Sequence, residues 1–454
     1  MATKNLLTNA AAVSSVEQVY FSPVAVVPPY YNVPLSSIYC FLAKVDPWAD
    51  ENDPPAPTQD QKYLKSVHKN MFVAKQITSN NISPVIKRID WTTGTIYDIY
   101  LDRVNMFELN TDGSLVRNFY VKNSYDQVFK CLWNHNGTPS TVEPYFEPGS
   151  YGTNNIFQSN DNYKWKYMYT IDTGTKQAFM DVNWMPVPVG ANTPNPLLSA
   201  AGAGDIEVIN VLNGGSGYDE ANAVVSVVIT GDGTGAAATA NVVNGSIADV
   251  IVTNPGKDYT TSVISIVSSL GSNASVFGHT SPIGGHSFDP VSELGCSHIM
   301  FSVQFNGSED GIIPTDITYH QLGILINPTT KQLSPQPANG TIYKTSTDVV
   351  VAPGFGTYNY DEIVYQGDTN NPSFTGTILS FDPASNVIRL INTKGTVTTN
   401  APIYGRTSLT TRTVLTYSLP NFVLFSGYLS YIENRTGITR SVDGIEQFKL
   451  VLGY

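Results

Sequence analysis

Histidine, aspartate, glutamate and cysteine crowd together at one place, GGHSFDPVSELGCSH, residues 284–298. His286, Asp289, Cys296 and His298 are the types that hold a metal ion or build a cysteine–histidine nucleophile. Such sites usually announce themselves by fixed spacings such as HExxH or CxxC, and none occurs here. The other histidines, His68, His135, His279 and His320, form no HxH pair. A turn leading into a strand is the better reading. In VVSVVITGDGTGAAATA, 224–240, Gly231, Gly233 and Ala236 fit G-x-G-x-x-A, with Asp249 at about the right distance for a ribose-binding acid. Cradling a pyrophosphate also needs a helix N-terminus behind the loop. NVVNG follows at 241–245, so no useful helix fits, and a glycine-rich β-turn is expected. Paired carboxylates for glycoside hydrolysis are set by space and not by sequence. Asp46, Asp50 and Glu51, beside Trp48, offer only a solvated acidic loop. Trp48, Trp91, Trp133, Trp165 and Trp184 have no regular spacing, which suits core anchors better than a sugar-binding face.

One more charged stretch stands near the C-terminus: LSYIENRTGITR, 429–440, between the strand-like NFVLFSGY and IEQFKLVLGY. Arg435 can make a two-pronged bond to a carboxylate, and Asn434 can bond backbone. Glu433, Asn434 and Arg435 are expected to occupy a turn near a hairpin of the last two strands. There they pin the fold or a subunit contact. The alternative is a solvated ion pair, whose contribution is under ~1 kcal/mol.

The elements that must position these residues are mostly strands. TQDQKYLKSVHKNMFVAKQI, 58–77, predicts a helix, with Thr58 and Gln61 as a capping box and Leu64, Val67, Met71 and Ala74 on one face. The proline-rich DENDPPAP, 50–57, is a loop leading into it. A weaker helix is expected over about 8–19. YKWKYMYTI, 163–171, alternates: Trp165, Tyr167, Tyr169 and Ile171 share one face, and Lys164, Lys166, Met168 and Thr170 the other, as in a half-buried strand. NWMPVPVGANTPNP, 183–196, looks like a domain exit. Two similar units, 208–229 and 250–267, each read strand, glycine turn, tyrosine, strand. Asn-Gly steps at 136–137 and 244–245 predict tight turns.

The bulk properties narrow the class. The chain has 454 residues, 25 Lys+Arg and 37 Asp+Glu, for a net charge of −12. No basic stripe marks a nucleic-acid footprint. Charged residues are 14% against a usual ~25%. With 26 tyrosines, this composition suits a surface covered by neighbours, or simply a neutral β-rich protein. Cys40, Cys131 and Cys296 form no disulfide or zinc pattern, so a reduced compartment is expected. No signal peptide and no apolar run near ~20 residues is visible, so membrane insertion is not expected.

Several segments taken in order resemble the family of baseplate wedge subunit eight of T-even-type contractile-tail phages. They are IYCFLAKVDPWADEND (38–53), ISPVIKRIDW (82–91), NYKWKYMYTID (162–172), VNWMPVP (182–188), IMFSVQF (299–305), YHQLGILINPTT (319–330) and SGYLSYIENRTGITRSVDGIEQFKLVL (426–452). They cover about half the chain and end on Gly427, Tyr431, Glu433, Asn434 and Arg435 as GxxxYxENR. The segments 200–280 and 335–410 look like additions to the family pattern. The resemblance implies a non-enzymatic, mostly-β homodimer that binds other wedge proteins and has no catalytic residues to carry over.

The expectation is a mainly β fold. It has an antiparallel β-sandwich core with one or two helices and two inserted small all-β domains. The divisions are 1–199, core; 200–283, a Gly/Ala/Val-rich insertion; 284–334, core; 335–410, a second insertion; and 411–454, C-terminal core strands. The expected function is a structural subunit of the tail baseplate wedge, with no catalytic, cofactor or metal residues. It would be assembled in the host cytoplasm and carried in the virion. A receptor- or glycan-binding tail protein and a tail-associated polysaccharide depolymerase are the alternatives.

Overall fold

The computed structural model describes residues 9–21, 37–147, 155–189, 204–219, 225–282, 285–330 and 334–453. The fold is mainly β, 46% strand against 9% helix, and its named strand pairs are antiparallel. Two compact units form: residues 1–18, 83–300 and 451–454 make the first, and 19–82 with 301–450 the second. The segments expected to form a single core are thus shared between both units. The boundary expected at 199/200 and the end of the stretch 183–196 lie outside the described residues.

Helix α1 is Asn9–Phe21, β1 Ile38–Ala43 and α2 Gln61–Asn70, followed at once by β2, Met71–Ile77. The helix expected over 58–77 is therefore cut in half. Its cap is Asp60, which accepts from Tyr63 N, while the Thr58 hydroxyl donates to that same carboxylate. After Asn70 helical spacing gives way, because Phe72 and Val73 are as buried as Met71 and Ala74. A segment buried on both faces is satisfied as a strand, and β2 pairs along β1.

Strands β3 (Ile82–Lys87), β4 (Tyr120–Lys122), β5 (Gln127–Trp133), β6 (Ile156–Gln158), β7 (Lys164–Thr170) and β8 (Trp184–Pro186) follow, with α3 at Thr173–Phe179. In the first unit β3 pairs with β8, and β4, β5, β7 and β6 make one sheet in that order. β7 is not half-buried as expected. Lys166 and Met168, on its supposed solvent face, are 3% and 6% exposed. Glu207 covers that face and stands opposite Lys166 at 3.8 Å.

The next six strands are β9 (Ile209–Ser216), β10 (Ser226–Gly231), β11 (Ala237–Val243), β12 (Ser246–Asn254), β13 (Ser262–Val267) and β14 (Ser272–Gly278). The two sequence units fold as counterparts. β9 pairs with β12, β10 with β13, and the outer strands β11 and β14 flank β12 and β9. Equivalent strands pairing antiparallel is what a local twofold relation produces. The two tyrosines sit alike: Tyr218 OH accepts from Ala274 N and Tyr259 OH from Ala236 N, both at 3.3 Å. Asn244 and Gly245 both have positive φ, closing a two-residue hairpin between Val243 and Ser246. No helix intervenes between Gly231 and Ala237, so the glycine-rich stretch is a turn.

Helix α4 is the single turn Pro290–Glu293. β15 (His298–Asn306), β16 (Thr318–Ile326), the short β17 (Thr329–Thr330), β18 (Gln336–Pro337) and β19 (Ile342–Lys344) precede a closed barrel. Its strands are β20 (Thr347–Val351), β21 (Ile363–Gly367), β22 (Pro372–Asp382), β23 (Val387–Gly395), β24 (Pro402–Gly405) and β25 (Thr411–Ser418). Alternate inward residues, among them Val349, Phe374, Ile378, Leu390 and Val414, fill it. β26 (Tyr428–Thr439) and β27 (Ile445–Gly453) end the chain. The second unit is organised on a five-stranded sheet, β19-β2-β1-β16-β26, with β26 at its edge. Phe448 of β27 packs on Tyr319 of β16 and Phe305 of β15.

Candidate functional site

Glu433, Asn434 and Arg435 do not form a turn. They lie in the middle of β26, with Asn434 opposite Gln321 and Glu433 opposite Leu322 of β16. Nor do the last two strands form a hairpin pair, because β26 ends the five-stranded sheet while β27 pairs with β15. The charge-rich ENRTG looked like a loop because β26 bulges there. Tyr319 faces Ile438 and Gln321 faces Asn434, so Arg435, Thr436 and Gly437 all stand against His320 alone. A bulge turns backbone groups out of the ladder.

The freed edge is covered by the acidic loop after β1. Trp48 Nε1 donates to Arg435 O at 2.8 Å, and the Thr436 hydroxyl donates to Glu51 O at 2.7 Å. Gly437 N donates to Glu51 Oε2 at 2.9 Å, and Glu51 Oε1 lies 3.2 Å from His320 Nε2. The Gly437 N–H is the main cause that holds the Glu51 carboxyl below the usual range. Gly437 is required, since a Cβ there would stand 2.7 Å from His320 Nε2. The loop then runs into Pro54, Pro55 and Pro57, which have no N–H to offer another strand. An edge strand is thereby kept from unwanted pairing. Glu51, expected as a solvated acid, is instead this loop's main fastener.

Asn434 is the centre of the clasp. Its Oδ1 accepts from Gln321 Nε2 at 2.7 Å and from Tyr63 OH at 2.9 Å, and its Nδ2 donates to Pro55 O at 2.7 Å. Among the described residues the Arg435 side chain pairs only with Glu433, 3.1 Å away, and the two side chains are 45% and 32% exposed. Asn434→Ala is therefore expected to lower stability by about 1–3 kcal/mol, by leaving the buried Gln321 amide short of a partner. Arg435→Ala is expected to change it by less than about 1 kcal/mol. Urea melts of the two variants separate these roles. Equal effects would mean that the ion pair, not the amide, holds the edge.

The first unit holds a second cluster. Lys130 of β5 lies 2.7 Å from Glu293 Oε1 of α4 and 3.0 Å from His286 Nδ1, and that nitrogen is 3.0 Å from Glu293 Oε1. The other carboxylate oxygen accepts from Ser287 N. Lys130 Nζ sits 3.5 Å from the centre of the Tyr100 ring. Burial works against the Glu293 carboxylate, but Lys130 and His286 outweigh it and bring its pKa to about 2. Burial, then the Lys130 charge, push His286 down to about 3, so the ring is neutral at pH 7. Burial raises Glu207 and lowers Lys166.

The four residues singled out at 284–298 do not converge. His286 joins this ion pair. Asp289 caps α4 by accepting from Ser292 N. His298 packs on the Trp184 ring, centroids 4.5 Å apart. Cys296 donates to Val85 O and His298 O, and burial pushes its thiol up to about 12, far from a nucleophilic thiolate. Of the tryptophans, Trp165 and Trp133 are core, while Trp48 and Trp184 are not fully buried. Among the described residues no group of His, Cys, Asp or Glu side chains is arranged to hold a metal ion, and no helix is long and apolar enough to cross a membrane. Lys130 and Glu293 escaped the sequence reading; the one visible signal was a lysine inside the apolar run QVFKCLW. Comparison with protein-family models and with curated proteins finds no match for this chain.

Proposed function

We propose that this chain is a structural subunit of a contractile-tail baseplate, of the wedge type, acting by packing and dimerisation and not by catalysis. One observation supports the reading. The segments that carry the resemblance are far apart in sequence, yet they are one another's neighbours in the fold. Residues 38–53, 319–330 and 426–452 supply β1, the clasp loop, β16 and β26, which lie side by side in the second unit. Residues 82–91 and 182–188 supply β3 and β8, which pair in the first unit. Two stretches outside the resemblance, 206–276 and 349–414, by contrast fold around cores of their own. In this reading the subunit is carried in the virion beside other wedge proteins.

Light scattering on the purified chain tests this. A particle near twice 49.3 kDa is expected, since a twofold contact is self-complementary and closes. A trimer would replace the wedge reading with a receptor-binding one. A monomer would remove the dimer and leave co-purification with other tail proteins to decide.

A further inference from the structure

We infer that the connection between β26 and β27 is fastened by one ordered water molecule, bound between Arg440, Glu446 and Tyr319 inside the second unit. This does not depend on the wedge reading. Arg440 directly follows β26, Glu446 lies in β27 and Tyr319 in β16. The backbone draws them together. Arg440 N donates to Ile317 O at 2.9 Å, and Arg440 O accepts from Asp316 N at 2.8 Å, just before β16 begins. Glu446 and Phe448 share one face of β27, because side chains alternate along a strand. The Phe448 ring is 6.5 Å from the Tyr319 ring, so Glu446 is turned towards β16 as well. Glu446 Oε2 stands 3.0 Å from Arg440 Nε. Burial raises the Tyr319 phenol; the Glu446 charge raises it further and Arg440 opposes, so the hydroxyl stands in the field of both.

The three side chains leave polar atoms over. Arg440 and Tyr319 are each 1% exposed. Arg440 Nη2 donates to Gly307 O at 2.7 Å. Arg440 Nε and Glu446 Oε2 are close enough to attract but are not aligned for a hydrogen bond. Arg440 Nη1, Glu446 Oε1 and the Tyr319 hydroxyl meet no protein partner among the described residues. Buried polar atoms are nearly always hydrogen-bonded, so a concentration of such atoms around one ion pair points to a ligand. The chemistry selects it. Arg440 Nη1 can only donate, an ionised Glu446 can only accept, and a tyrosine hydroxyl does either. An anion is opposed by Glu446 and by Glu309, whose carboxylate also feels Arg440. A cation is opposed by Arg440 itself. Water gives and takes hydrogen bonds, and a buried water typically makes about three of them to groups otherwise unsatisfied. Arg440 Nη1 and the Tyr319 hydroxyl donate to its oxygen, and one of its hydrogens goes to Glu446 Oε1. It thereby joins β16, β27 and the residue that follows β26.

The test is a high-resolution crystal structure of the full chain, with a second crystal soaked in bromide. A single peak is expected within about 3.2 Å of Arg440 Nη1, Glu446 Oε1 and the Tyr319 hydroxyl, as well ordered as those atoms and without bromide signal. No peak, a bromide signal there, or the three atoms paired with protein groups overturns the inference. Oxygen-17 relaxation dispersion reads the same site in solution by counting long-lived internal waters. The count is expected to fall by one in Tyr319→Phe, with circular dichroism to establish that this variant folds. An unchanged count in the folded variant overturns the three-partner site. If the variant does not fold, the crystal structure of the parent decides alone.

Discussion

Glu293→Gln is expected to destabilise the first unit by about 3–5 kcal/mol, the cost of leaving a buried charge without its partner. Lys130 is fully buried, with 0% of its side chain exposed, against 3% for Glu293. Glutamine keeps the shape and one hydrogen bond but not the charge. The ammonium is then left with a neutral imidazole at 3.0 Å and the face of Tyr100. Neither replaces water. The glutamine amide must also meet Ser287 N, which now donates to a carboxylate oxygen. The double variant Lys130→Met with Glu293→Gln is expected to recover much of the loss, because no charge is then stranded. Denaturant unfolding of the two single variants and the double variant measures the coupling. If the double variant loses as much as the single variants added together, the two residues do not act as a pair.

This pair also marks where sequence reading stopped. Lys130 sits in QVFKCLW, and the acid next to that run, Asp126, pairs with Lys122 and Lys176 instead. The partner of Lys130 is 163 residues away, on a one-turn helix. Spacing rules find ligand sets that share a helix or a loop; a contact between a strand and a distant turn leaves no periodic trace. The same holds for the clasp: Asn434 meets Pro55 across 379 residues. Glu433–Arg435 stand out for their charge, but they lie in a bulged strand and not in the turn expected. A bulged edge strand exposes polar side chains and so imitates a turn. What local chemistry controls was legible: the predominance of strands, the Asn-Gly hairpin at 244–245, and the paired tyrosine units whose strands pair with one another. The end of α2 was not, since KNMFVAK satisfies helical spacing and only the burial of Phe72 and Val73 against β1 decides it.

Acidification from pH 6.5 towards 4 is expected to erode the stability of the first unit, chiefly through two histidines. His279 is 2% exposed and gives its Nε2 proton to Leu132 O at 3.1 Å. Burial, only partly opposed by that carbonyl and by Asp102, pushes its pKa down to about 4. His286 lies still lower, at about 3. Both folded values fall below the ordinary 6.5, so in this interval the unfolded chain binds more protons than the folded one. Their contribution is complete above pH 6.5 and is lost as pH falls through the interval. Each histidine adds a slope of roughly 1.4 kcal/mol per pH unit while it alone differs between the states. Glu207 and Asp289 act in the opposite sense. Burial raises both, so their folded carboxyls take up protons first on acidification and offset part of the loss. Glu293 adds to the loss only at the acid end, where the unfolded carboxyl with its ordinary 4.5 begins to protonate while the folded one stays ionised. Urea unfolding at a series of pH values should therefore show a shallower dependence in His279→Gln, by about one proton's slope. Gln keeps an N–H for Leu132 O, so stability at pH 7 changes less than the slope. An unchanged slope would remove His279 from the account and leave the acid limit to His286, held between Lys130 and Glu293.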